Sequence, residues 1–196
     1  MAIKTKYSFD QLYAAYKEQY EKSEAQLGEG VMPKREMYSK RDFIADWEAI
    51  KEGNKGMSGV RVAEKLARSD VYLHSKKQAE SVYKSIYSEE WETRTELRKK
   101  IEQAKEEKDL VKSEEERISL EEEIKILQRE EKIFRKRQSA FITKFKTGTL
   151  SEEQEADLES FYDDISTYYH GLKDMGYSSK EIKAKVSKKF FSWKYV

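Results

Sequence analysis

Cysteine is absent from this chain of 196 residues, proline occurs once, and there are only eight glycines and two histidines. Without cysteine there is no disulfide framework, no thiolate zinc site and no cysteine nucleophile. His74 and His170 lie far apart, and neither stands in a His-x-x-x-His or Glu-x-x-His spacing of the kind a helical metal site uses. A glycine-rich phosphate loop and a Gly-x-Ser-x-Gly elbow are also missing. The expectation is a protein with no cofactor, no metal and no catalytic residues. No window approaches the roughly 18 apolar residues of a membrane span, so no membrane partner is expected. The first residues, MAIKTKYSFDQLY, lack the apolar core of a secretory signal, which points to the cytoplasm or to a particle assembled there.

With Pro33 as the only proline, little in the sequence stops a helix. Charged residues make up 39% and apolar ones 37%, with a mean hydropathy of −0.96. Aromatics at 12% and a spread of isoleucine and leucine argue against disorder. The composition predicts an all-α, elongated protein with a long helical hairpin or coiled-coil arm and shorter flanking helical pairs.

The N-terminal region, 1–57, reads as a helical pair and a loop. Ser8 with Gln11 is a capping-box pattern, followed by Phe9, Leu12, Tyr13, Tyr16, Tyr20 and Leu27 on one helical face and Gly28 as the stop. A loop carrying Pro33 precedes Ser39 and Asp42, which open a helix with Phe43, Ile44, Trp47 and Ile50 inward. The stretch GNKGMSG, 53–59, is the readiest hinge. Linking helices fill 58–87: Ser58 caps one with Val62 and Leu66, and Val71, Ala79, Val82 and Ile86 mark another. Ser69 and Asp70 lie between the two patterns, as a break or as a mere interruption.

The segment 88–147 carries two heptad seams. The first is Leu97, Ile101, Ala104, Val111 and Ile118; the second is Leu120, Ile124, Leu127, Phe134, Phe141 and Phe145. They are displaced by two residues, roughly 200° around a helix. A hairpin turning near 110–113 would face each seam to the other arm; one continuous helix that changes partners midway is the competing reading. Ser113 with Glu116 supplies a cap pattern at the proposed turn.

The last region, 148–196, reads as a helical pair with a basic, aromatic tail. Leu158, Phe161, Ile165, Tyr168, Tyr169, Leu172 and Met175 share a face, Gly176 turns the chain, and Ser178 with Glu181 caps a helix burying Ile182, Val186 and Phe190. From Ser151 to Asp174 there are eight acids and one lysine; from Gly176 onward there are six lysines and one glutamate. The lysines Lys180, Lys183, Lys185, Lys188 and Lys189, with Arg135, Lys136 and Arg137 upstream, are the candidate nucleic-acid contacts. The glycine turn before a basic helix resembles a helix-turn-helix in outline. Phe190, Phe191, Trp193 and Tyr195 crowd the tail and are the candidate partner-binding residues, since exposing four aromatics would leave a sticky patch.

Taken together, these features point to a non-enzymatic interaction or assembly protein: a scaffold, an adaptor or a structural component of a larger particle such as a virion. Its partner would be another protein or a second copy of itself. The alternative is a nucleic-acid-associated protein that joins the basic C-terminal pair to a coiled-coil oligomerisation arm.

Overall fold

The computed structural model describes residues 7–191. Among them the chain forms eight helices and no strand: α1 Phe9–Glu24, α2 Lys40–Glu52, α3 Gly59–Val71, α4 Lys76–Ile86, α5 Ser88–Leu110, α6 Glu114–Thr147, α7 Glu152–Asp174 and α8 Ser179–Phe190. The all-α class follows from the composition as expected. Two compact units divide the chain, the first running to Ser75 and taking in Lys144–Thr149, the second comprising Lys76–Thr143 and the chain from Leu150 onward.

Three helices begin with a reciprocal capping box, in which a serine hydroxyl accepts from the backbone three residues on and that residue's side chain accepts from the serine N–H. The pairs are Ser8 with Gln11, Ser151 with Gln154, and Ser178 with Glu181. Each box satisfies two donors that a helix start otherwise strands. Ser39 caps α2 by accepting from the Asp42 N–H.

In the first unit, Leu12, Tyr16 and Tyr20 of α1 meet Phe43 and Trp47 of α2 and Val62, Ala63, Ala67 and Val71 of α3. Small residues let α1 and α3 approach closely: a Cβ on Gly59 would stand 2.8 Å from Leu12 Cδ2. Burying side chains the size of Trp47 and Phe43 contributes about 1.5–3 kcal/mol each. Trp47 Nε1 is the one buried side-chain polar atom without a partner among the described residues. The sequence-based reading is corrected at Phe9, Ile44, Gly28 and Val71, and the question it left open at Ser69 and Asp70 is closed. Phe9 sits in the first turn of α1 and is 41% exposed, while Tyr7 packs at the edge of the core. Ile44 follows Phe43 by one position, about 100° around the helix, and also faces solvent. The helix α1 ends with Ala25 as its cap, short of Gly28. Ser69, Asp70 and Val71 all belong to α3, and the break falls at 72–75.

The close of α6 is fitted to the loop after α1. Gly148 has φ +67°, a left-handed conformation that glycine adopts without strain, and the Thr149 N–H donates to the Lys144 carbonyl. Gly28 donates to the Thr147 carbonyl at 3.0 Å, and a Cβ on Gly28 would lie 2.7 Å from the Gly148 oxygen. The GNKGMSG stretch is a hydrogen-bonded turn: Asn54 N–H donates to Lys51 O, Met57 N–H to Asn54 O, and Lys51 Nζ to Met57 O.

In the second unit the chain leaves α5 at Leu110 and re-enters a helix at Glu114, where the Arg117 N–H donates to the Ser113 carbonyl. The two helices are antiparallel neighbours, because partner numbers fall on α6 as they rise on α5: Glu90 pairs with Arg137, Arg94 with Glu131, and Lys108 with Glu121, at 2.9, 2.8 and 2.7 Å. Leu97, Ile101 and Ala104 of α5 and Ile124 and Phe141 of α6 are buried. Ile118, placed in the first seam from sequence, belongs to α6 and is 52% exposed. Leu172 and Ile182 are the buried residues of α7 and α8. Met175 and Tyr169, expected inward, are 75% and 40% exposed; the α7 face that meets α8 is narrower than its apolar stripe.

Candidate interaction surface

The second unit is knit by polar pairs between aromatic helices. Tyr83 of α4 donates to Glu90 Oε2 at 2.7 Å while Arg137 donates to the other Glu90 oxygen, so one carboxylate joins α4, α5 and α6. Tyr87 donates to Asp157 at 2.7 Å and so fixes the start of α7. Burial first, and the adjacent carboxylate second, hold both phenols well above their ordinary range, so they are donors at any physiological pH. Arg94 donates to Glu131 and to Gln138, with both members of the ion pair mostly shielded from water.

This scaffold shapes a cleft of about 770 Å³ walled by Trp91 of α5, Phe161 of α7 and Phe190 of α8. Cations border it: Lys84 lies 4.0 Å from the Trp91 ring centroid, and Lys189 lies 4.2 Å from that of Tyr168. Such contacts hold a lysine over an aromatic face by the ring quadrupole. Glu92, Glu96 and Asp164 also line the cleft, so its charge is mixed.

Of the residues singled out from sequence, Phe190 and Phe191 both close edge-on upon Phe161, with centroids 6.1 and 6.0 Å away. Trp193 and Tyr195 lie outside the described residues. Lys180, Lys183 and Lys188 are exposed on α8; Lys185 lies over Tyr177 and Lys189 over Tyr168. Arg135 and Lys136 are exposed on α6, whereas Arg137 is engaged by Glu90. The α8 lysines share one helix, while the arginines belong to another, and no group of three or more histidines, aspartates and glutamates among the described residues is placed to hold a metal.

Two features escaped the sequence reading. Trp91 and Lys84 give no motif, because their meeting depends on how α4 packs on α5. Ile126 and Ile133, 55% and 54% exposed, carry a visible signal in their heptad spacing, which the longer apolar stripe on the opposite side of α6 overshadows. Among the described residues no helix is long and apolar enough to cross a membrane. Comparison with known proteins gives no match to any family model, curated protein or solved structure.

Proposed function

We propose that this chain is a non-enzymatic helical assembly protein, a scaffold, adaptor or structural component of a larger particle such as a virion. The observation that supports this reading is the set of large apolar side chains left in water on the second unit. Ile118, Ile126 and Ile133 are each more than half exposed on α6, and Met175 is three-quarters exposed at the end of α7. A helix that packs only within its own chain tends to carry polar residues on its outer side, and three isoleucines exposed along one helix depart from that pattern.

Size-exclusion chromatography with light scattering, run on the protein alone and with duplex DNA, tests it. The expected result is a mass above the 23.2 kDa of one chain without DNA, persisting at high salt because apolar burial is not screened. A chain that gains mass only with DNA, and loses it steeply as salt rises, would instead support the nucleic-acid reading. That second reading is favoured by Lys180, Lys183 and Lys188, which project from α8 directly after the Gly176 turn.

A further inference from the structure

The exposed isoleucines of α6 lie on a face whose charges change sign along the helix. Ile126 follows the buried Ile124 by two residues, which carries it about 200° around, away from the side that meets α5. Ile133 is one heptad further on, and Ile118 flanks the same face. Alongside run Glu115, Glu122, Arg129 and Lys136, also one heptad apart and all exposed. Glu114–Glu123 holds six glutamates and one arginine, while Lys132–Arg137 holds four cations and no acid.

We propose that this face binds the same face of a second copy, antiparallel, about a two-fold axis beside Ile126. The proposal rests on the assembly reading above and names the partner. One register brings these groups together at once. Ile126 lies next to its own symmetry mate, Ile118 meets Ile133 of the second copy, Glu122 meets Arg129, and Glu115 meets Lys136. The two-fold axis makes the Ile126 contact once and each of the other three twice, as an isologous interface requires. A parallel pair would set Glu122 against Glu122 and Arg129 against Arg129, and like charges opposed in this way are unfavourable. Charge thus selects the orientation, and the isoleucines supply apolar contact.

The absence of cysteine from the chain makes the test direct. Ile126→Cys should give a disulfide-linked dimer on mild oxidation. Ile118→Cys and Ile133→Cys should each crosslink poorly alone and well when mixed; efficient self-crosslinking of each alone would show a parallel pair and overturn the proposal. In sedimentation equilibrium, Glu122→Arg should weaken the dimer about tenfold, since two attractive pairs become repulsive. Adding Arg129→Glu in the same chain should restore it. All five positions are exposed, and matching circular dichroism melts will confirm that the fold is kept. A wild-type chain that stays monomeric, or a dimer indifferent to Glu122→Arg, overturns the proposal. A monomeric wild type counts against the assembly reading as well, whereas a dimer indifferent to Glu122→Arg overturns this interface alone and leaves that reading standing.

Discussion

The Tyr16 hydroxyl is the polar centre of the first unit, and its removal should be more damaging than removal of the charge it serves. Tyr16, fully buried, donates to Asp70 Oδ2 at 3.1 Å and accepts from the Tyr38 N–H at 3.1 Å. The loop between α1 and α2 is fastened to the same place, since the Arg35 N–H donates to the Asp70 carbonyl and the Tyr20 hydroxyl to the Arg35 carbonyl. Tyr16→Phe keeps the ring but strands a buried acceptor and a backbone donor. Each stranded group costs about 1–3 kcal/mol, so a loss of about 2–6 kcal/mol is expected. Asp70→Asn keeps an acceptor for Tyr16 and removes the charge.

The sign of that second effect follows from the titration of Asp70. Burial raises its pKa above the ordinary 3.8, with the Tyr16 hydrogen bond, Arg35 and Lys34 pulling it partly back. A carboxyl whose folded pKa is raised contributes stability below 3.8 and loses it as pH climbs through the folded value. At neutral pH the ionised Asp70 therefore opposes folding, and Asp70→Asn should be within about 1 kcal/mol of wild type or more stable. Its advantage should shrink as pH falls towards 4. Urea unfolding followed by far-ultraviolet circular dichroism measures both variants without adding salt. The reasoning is refuted if Tyr16→Phe loses less than about 0.5 kcal/mol, if Asp70→Asn is the more damaging change at pH 7, or if its difference from wild type does not vary with pH.

Other variants probe single contacts. Arg94→Met leaves Glu131 shielded and unpaired and should lower stability by about 3 kcal/mol, with partial recovery in a thermal melt when Glu131→Leu is added. Gly28→Ala drives a Cβ to 2.7 Å from a backbone oxygen and should destabilise, whereas Gly171→Ala, with nothing near it inside α7, should stabilise by about 1 kcal/mol; equal effects in denaturant titrations would count against this packing. His74 stacks on Phe145 at 4.5 Å, and burial first, then Lys34, lowers its pKa below 6.5. Its contribution is therefore present above 6.5 and lost as pH falls below it; His74→Gln should lose less stability than wild type between about pH 7 and about pH 5, as urea midpoints will show.

The starts of α1, α7 and α8 were legible because a capping box is local: serine and its partner stand three residues apart, and both halves of the bond are written in one short string. Ser58, expected to cap α3, makes no side-chain bond there. The break at 111–113 was legible for a related reason, since a change of face along a helix shows in the spacing of Leu97, Ile101, Ile124 and Leu127. Asp70 was not legible. A polar residue in a helical pattern reads as an interruption, and its hydrogen-bond partner lies 54 residues away. Nothing near Asp70 in sequence announces a tyrosine from another helix. Met175 and Tyr169 were misplaced because an apolar stripe records what could be buried, while the width of the facing helix decides how much is.

The same distinction separates the two faces of α6. Its inward side is set by groups that pair in this chain: Glu131 with Arg94, Glu121 with Lys108, Arg137 with Glu90. Once those are assigned, Glu115, Glu122, Arg129 and Lys136 remain exposed beside three isoleucines. A solvated helical face gains nothing from isoleucine, and its glutamates and lysines serve best interspersed at i and i+4. Here the acids gather at the N-terminal end and the cations towards the C-terminal end; the terminal turns suit the helix dipole, but Glu122 and Arg129 lie well inside the helix, beyond its reach. Their order becomes favourable once an inverted copy lies alongside, because each end then meets its opposite. That contrast is why the outward face of α6, rather than its seam against α5, is the more informative stretch of the chain.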